Sequence, residues 1–145
     1  MSRVTVKGID SLTRRLDNIA EMDILPAVQK ATQLVHGQAK ALAPADTGLL
    51  RESIHMSVKN KTNSIEGRVY TNTEYASYVE FGTGESGNGS YPYEVEGLNL
   101  AYKDGWRGMA AQPYMYPALH QHKKTIETML KQGVHSTLKK NCKGD

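Results

Sequence analysis

Ser53-Ile54-His55-Met56-Ser57-Val58 and Ile65-Glu66-Gly67-Arg68-Val69-Tyr70 are two short runs whose side chains change character at every second residue. In the first, Ile54, Met56 and Val58 fall on one side, with His55 and Ser57 on the other. In the second, Ile65, Gly67 and Val69 oppose Glu66, Arg68 and Tyr70. A period of two belongs to a strand with one face on a core. The polar stretch Lys59 to Ser64 between the runs reads as a turn, so an antiparallel hairpin is expected.

Upstream of it the period is helical. Asp10 or Ser11 can cap a first helix whose apolar side is Leu12, Leu16 and Ile19, spaced four and three apart. Asp23 can cap a second, with Pro26 tolerated in the first turn because that N–H has no helical partner. Its apolar face runs Leu25, Val28, Ala31 or Thr32, Val35, Ala39 and Leu42, which suits burial against a sheet. Ala43-Pro44 ends it, since proline disfavours a helical residue before it. Downstream of the hairpin, Thr73 is a fair cap, Tyr75, Tyr78 and Val79 share a helical side, and Gly82 is a stop. A short helix fits there, with a strand as the alternative. Pro117 is expected to open a last helix, in which Leu119, Ile126, Leu130, Val134 and Leu138 form the apolar line.

The expected fold is α+β: two N-terminal helices and a long C-terminal helix packed on a small antiparallel sheet. The 145 residues suit a single domain, 1–145, with 84–110 as an extended loop or arm and 140–145 as a basic tail. With 39% hydrophobic and 23% charged residues the profile is globular. The one cysteine, Cys142, excludes a disulfide framework. No apolar run approaches the ~18 residues of a membrane span, and the charges among the first twenty residues leave no signal-peptide core. The expectation is a soluble protein made and kept in a reducing compartment.

The formal charge is +3, and residues 120–145 carry six lysines against Glu127 and Asp145. DNA-binding domains usually show a stronger, arginine-rich stripe, so this segment reads first as a solvated helix face and tail. Gly82-Thr83-Gly84-Glu85-Ser86-Gly87 matches G-x-G-x-x-G, yet Asn88, Gly89, Ser90 and Pro92 follow where a pyrophosphate would need a helix, which leaves a flexible turn. His120 and His122 would point ~200° apart on a helix, and His36, His55 and His135 are scattered, so no metal set forms. Acidic pairs such as Glu94/Glu96 or Glu80/Glu85 have nothing visible to desolvate or orient them. No catalytic residue, cofactor or metal ligand is assigned, and an enzyme is not expected.

Residues 82–112 are the odd part of the chain. Seven of the 13 glycines lie between Gly82 and Gly108, mixed with Tyr91, Pro92, Tyr93, Tyr102 and Trp106. A segment this long without clear regular structure is uncommon in a compact domain and is often functional. Large amphipathic rings suit a protein–protein surface. Two readings stand side by side: the rings engage a neighbouring subunit that orders the arm, or they fold back on their own domain, with Leu98 to Trp106 paired to its sheet.

Three stretches then resemble one family. Residues 43–54, Ala-Pro-Ala-Asp-Thr-Gly-Leu-Leu-Arg-Glu-Ser-Ile, are similar to a joint of the form A-P-x-D/R-T-G-x-L-R-x-S-I. Residues 75–84, Tyr-Ala-Ser-Tyr-Val-Glu-Phe-Gly-Thr-Gly, resemble Y-A-x-Y-V-E-F-G-T. Residues 111–119, Ala-Gln-Pro-Tyr-Met-Tyr-Pro-Ala-Leu, resemble A-Q-P-F-M-x-P-A-L, with Tyr114 where phenylalanine is common. In order and spacing these look like the small neck or tail-completion proteins of tailed bacteriophages and prophages, typified by gene product ten of a lambdoid phage.

The resemblance implies a structural virion protein of the head–tail joint, located in the virion and in the host cytoplasm during assembly. Its implied partners are itself, in a six-fold or twelve-fold ring, the head connector or stopper, and the tail terminator or tail-tube proteins. DNA would pass nearby in the lumen, and no membrane is involved. A tail terminator ring capping the tail tube is the alternative, and a small basic nucleic-acid-binding protein is the alternative of another class. The candidate subunit interface is Glu80, Phe81, Thr83, Tyr91, Tyr93, Tyr102 and Trp106, with Glu80 structural or interfacial rather than a general base. The candidate structural positions are Pro44, Asp46, Thr47, Gly48, Gly82, Pro113 and Pro117: Asp46 or Thr47 can cap a turn, and Gly48 and Gly82 suit positive φ.

Overall fold

Pro26 and Pro44 flank the first helix, α1 (Leu25–Leu42), in a computed structural model that describes residues 24–45, 48–62 and 64–142. Pro26 sits in the first turn, where its missing N–H costs nothing. Ala43 leaves the helix with ψ 136°, the extended conformation that a following proline imposes. The helix expected around Leu12, Leu16 and Ile19 lies outside the described residues, as does Asp23; the position just before α1 is Ile24.

The hairpin consists of β1 (Ile54–Lys61) and β2 (Ser64–Thr71), paired antiparallel with Ile54 opposite Thr71, Met56 opposite Val69 and Val58 opposite Gly67. The polar stretch expected to be a turn is mostly strand. Lys59, Asn60 and Lys61 extend β1, and residues 62 and 63 alone connect it to β2. Charge pairing holds this solvent-facing end: Lys61 Nζ lies 2.8 Å from Glu66 Oε2, and Arg68 Nη2 lies 3.1 Å from Glu66 Oε1. Together Lys61, first, and Arg68 hold the Glu66 carboxyl below its usual range.

A two-stranded hairpin alone is marginal and needs a cover. α1 supplies it, and Gly67 is where the two elements touch. A Cβ on Gly67 would run into Thr32 Oγ1 and come within 3.3 Å of Val28 Cγ1. The Thr32 hydroxyl donates to the Val28 carbonyl at 2.7 Å, so this buried side chain keeps its polar atom satisfied.

A single turn, α2 (Leu49–Glu52), links α1 to β1. Gly48 precedes it with φ +71°, and Gly82 ends α3 (Ala76–Phe81) with φ +79°; both conformations favour glycine, as the sequence predicts. Asp46 and Thr47, the expected cap, lie outside the described residues. Three side-chain bonds brace this joint. Arg51 Nε donates to the Ala43 carbonyl at 3.0 Å, Ser53 Oγ to the Leu50 carbonyl at 2.6 Å, and His36 Nε2 to the Ile54 carbonyl at 2.9 Å.

Gly84–Gly87 is one helical turn, α4, so the glycine-rich run holds a brief helix where an open turn is expected. The expected single last helix is two: α5 (Met115–His120) and α6 (Lys123–Cys142). The break has a local cause. His122 N–H bonds three residues back to Leu119 at 3.3 Å, which tightens the turn, and the His122 carbonyl then accepts from Ile126 N–H at 2.8 Å to start α6. α6 runs through Cys142, so residues 140–142 of the expected basic tail are helical.

The core gathers Ala39, Ala43, Leu50, Ile54, Ala76, Tyr114 and Ala118, with Val35, Val69, Val79 and Met115 packed around them. Leu42, expected on the buried face, is exposed, and Ala43 takes the interior position as the chain turns. The architecture is α+β, helices around one small antiparallel sheet.

Candidate functional site

Helix α5 starts with no side chain of its own to cap it. A helix leaves its first four N–H groups without internal partners. Here the cap position and the next two are Tyr114, Met115 and Tyr116, and the fourth is Pro117, which has no N–H. Glu80 satisfies the other three. Its Oε2 accepts from Tyr114 N–H at 2.8 Å and Met115 N–H at 2.9 Å, and its Oε1 from Tyr116 N–H at 3.2 Å. Every orphan donor of this end is thereby accounted for by one carboxylate and one proline. Glu80 is 5% exposed, and the three bonds it accepts offset the cost of burying its carboxylate. Glu80 and Pro117 thus act as a pair, which the missing local cap at residues 111–116 could have signalled.

Tyr114 carries the same joint inward. Its ring is 1% exposed and its hydroxyl donates to the Ala76 carbonyl at 3.4 Å, at the start of the helix that bears Glu80. Burial, reinforced by the Glu80 charge, pushes the Tyr114 phenol up to about 12. Burial also raises Tyr91, again with Glu80 beside it.

The glycine-rich segment is fastened to this body at its base. Thr83 and Met109 exchange backbone bonds of 2.8 and 2.9 Å, and Gln112 N–H donates to the Val79 carbonyl at 2.8 Å. The Tyr102 hydroxyl donates to the Phe81 carbonyl at 2.8 Å, and Glu85 Oε1 accepts from Gly105 N–H at 3.0 Å. Leu98 to Trp106 joins no strand among the described residues, so the expected pairing with the sheet does not occur. Among the described residues β1 and β2 pair only with each other, and the base of the segment is tied instead through the Thr83–Met109 bridge.

Of the residues singled out as interface candidates, three, Phe81, Tyr91 and Tyr93, meet in a chain of ring contacts that continues to Tyr116. Phe81 lies 5.0 Å from Tyr91, Tyr91 5.5 Å from Tyr93, and Tyr93 4.8 Å from Tyr116, all tilted or edge-on. Tyr116 stacks on His120 at 5.2 Å and 18°. Such geometries stabilise a joint beyond area burial alone. Trp106 stands apart from this chain and is 53% exposed. Tyr75 just before α3, Tyr78 on α3, the latter 59% exposed, and Leu49 on α2 are also open surface. Their signal was present in the motifs themselves, where large rings recur without an inward helical place for both.

Among the described residues no three His, Cys, Asp or Glu side chains are grouped to hold a metal, and no helix is long and apolar enough to cross a membrane. Neither curated proteins nor solved structures give a match to the chain. A profile of the HK97-gp10-like family, described as "Bacteriophage HK97-gp10, putative tail-component", matches residues 7–82, which takes in α1, the hairpin, the first motif and the second as far as Gly82. The third motif lies beyond the matched residues and is bonded to the second through Glu80. With more than half of its length matched, this chain belongs to the HK97-gp10-like family and is a tail-related structural component of a bacteriophage.

Proposed function

We propose that the protein is a ring-forming subunit of the phage neck, a tail-completion protein that joins the head connector to the tail. The family supports a tail-related part, and one structural observation supports a ring. Glu80 bonds the second motif to the third and Arg51 braces the first within itself, while Leu49, Tyr75, Tyr78 and Trp106 stay exposed on the same chain. Rings of this kind left on a surface are the material of subunit contacts. The aromatic chain from Phe81 to His120 then serves as a rigid internal support, and the exposed residues face a neighbour.

Native mass spectrometry across micromolar concentrations, alone and with connector proteins, tests this reading. A closed homo-oligomer, six-fold or twelve-fold, is expected. A strict monomer in every mixture overturns it. Salt distinguishes the nucleic-acid alternative, because phosphate binding weakens steeply as salt rises and an apolar ring contact does not.

A further inference from the structure

Helix α6 turns one side to the body and the other to solvent. Gly133 marks the inner side, since a Cβ there would meet Ala27 of α1 at 2.5 Å. Ile126 and Leu130 also point inward, into a hollow shared with Val35 of α1 and Val69 of β2. Lys124, Thr128, Lys131, His135 and Lys139 follow one another at spacings of four, three, four and four. At ~100° per residue they stay within an arc of about 80°. Lys124 stands half a turn around the helix from Gly133, so this row is the outward one, and all five residues are exposed. At ~1.5 Å per residue the row is about 22 Å long, with about 10 and 12 Å between its three lysine positions.

No carboxylate interrupts it. Glu127 is the single acid on α6, and it falls about 40° beyond the edge of the row. None of the three lysines forms an ion pair among the described residues. The Thr128 hydroxyl is turned back to the Lys124 carbonyl at 3.0 Å. The row holds no aliphatic, phenyl, phenol or indole side chain either.

We infer that this row is a binding face for the phosphate backbone of duplex DNA. Protein interfaces centre on aromatic and aliphatic anchors and are depleted in lysine, so the row lacks the core that a protein partner needs. The surface that has such anchors, at Leu49, Tyr75, Tyr78 and Trp106, belongs to other elements. Single strands are held by rings on which their bases stack, and the row offers no tyrosine, tryptophan or phenylalanine for that. It has no arginine fork for bidentate recognition, and lysine meets a phosphate as a point charge. Duplex DNA carries about one charge per 1.7 Å of axis, so a row of this length runs along about thirteen phosphates. Contact of this kind is weak, independent of sequence and able to slide. The choice of duplex DNA over duplex RNA rests on the neck reading, which brings DNA past the subunit.

The test uses the full chain and a short fluorescein-labelled DNA duplex, with binding read by anisotropy between about 50 and 200 mM salt. With three phosphates neutralised, the binding constant is expected to fall about 40-fold over that range, alike for unrelated sequences. Lys124→Gln, Lys131→Gln and Lys139→Gln together should weaken low-salt binding at least ~10-fold and remove most of the salt dependence. Lys59→Gln, Lys103→Gln and Arg107→Gln change the net charge equally at exposed positions off the row, and should stay within about two-fold of the unaltered chain. Equal losses in the two triple variants overturn the inference, as does the absence of binding at low salt. Tighter binding of duplex RNA, or of an oligoglutamate peptide, assigns the row to another polyanion and overturns it too. Should the first triple variant not fold, Lys131→Glu against Lys103→Glu decides by the same comparison. A chain that binds the duplex yet stays monomeric in native mass spectrometry supports the row and overturns only the ring; rings that bind no duplex do the reverse.

Discussion

The Glu80 carboxylate receives the Tyr114 N–H at 2.8 Å across 34 positions of sequence, and that bond joins the second signature stretch to the third. Two more N–H groups converge on the same side chain, from Met115 and Tyr116. Because Pro117 contributes no donor, no water or second side chain is needed to finish the turn. A carboxylate held this way works as the cap of α5.

Glu80→Gln is therefore expected to destabilise the fold by about 1–3 kcal/mol, since an amide offers one acceptor oxygen and turns its NH2 toward a backbone donor. Urea unfolding monitored by circular dichroism measures it. An unchanged midpoint would mean that the three bonds contribute nothing.

Stability is expected to fall as pH rises from 10 to about 12. The Tyr114 phenol titrates near 10 in the unfolded chain and near 12 in the folded one, so the unfolded state loses its proton first in that window. The contribution is complete below pH 10. Tyr91, also raised, acts in the same direction. Tyr114→Phe should flatten part of this slope while costing under about 1.5 kcal/mol at neutral pH, because the hydroxyl bond is long. Thermal unfolding between pH 8 and 12 reads both effects, and parallel slopes in the two proteins would contradict the assignment.

Two glycines should respond oppositely to alanine. Gly67→Ala forces a methyl against Thr32 where α1 rests on β2, and is expected to cost about 1–3 kcal/mol. Gly37, within α1, has nothing within 4 Å of an added Cβ, so Gly37→Ala should stabilise by up to ~1 kcal/mol. Melting temperatures that move the same way for both would refute the close seating of α1 on the hairpin.

Trp106→Asp and Tyr78→Asp should leave the isolated subunit within about 0.5 kcal/mol of its stability, since both side chains are more than half exposed. Each is expected to abolish ring formation in native mass spectrometry. Tyr93→Ala, in the middle of the aromatic chain, should instead lower stability first. Normal rings from both aspartate variants would remove this surface from the interface.

Local periodicity and chain punctuation are written along the sequence, and they determined a good share of this protein. The alternation through Ile54–Val58 and Ile65–Tyr70, the stop at Ala43-Pro44, the positive-φ glycines 48 and 82, and the short helix before Gly82 all follow from neighbours a few residues apart. The three motifs in order also carried the family. What the tertiary structure alone decided are the choices among distant partners. Lys59 to Lys61 look like turn residues until Glu66 lies across from them; the last helix breaks at Gln121-His122 without any glycine or proline to announce it. Glu80 reads as one more surface acid until α3 is packed against the start of α5, which brings three unpartnered N–H groups within reach of it. A hydrogen bond needs its partner within about 3 Å, and only packing brings residues 34 positions apart to that distance.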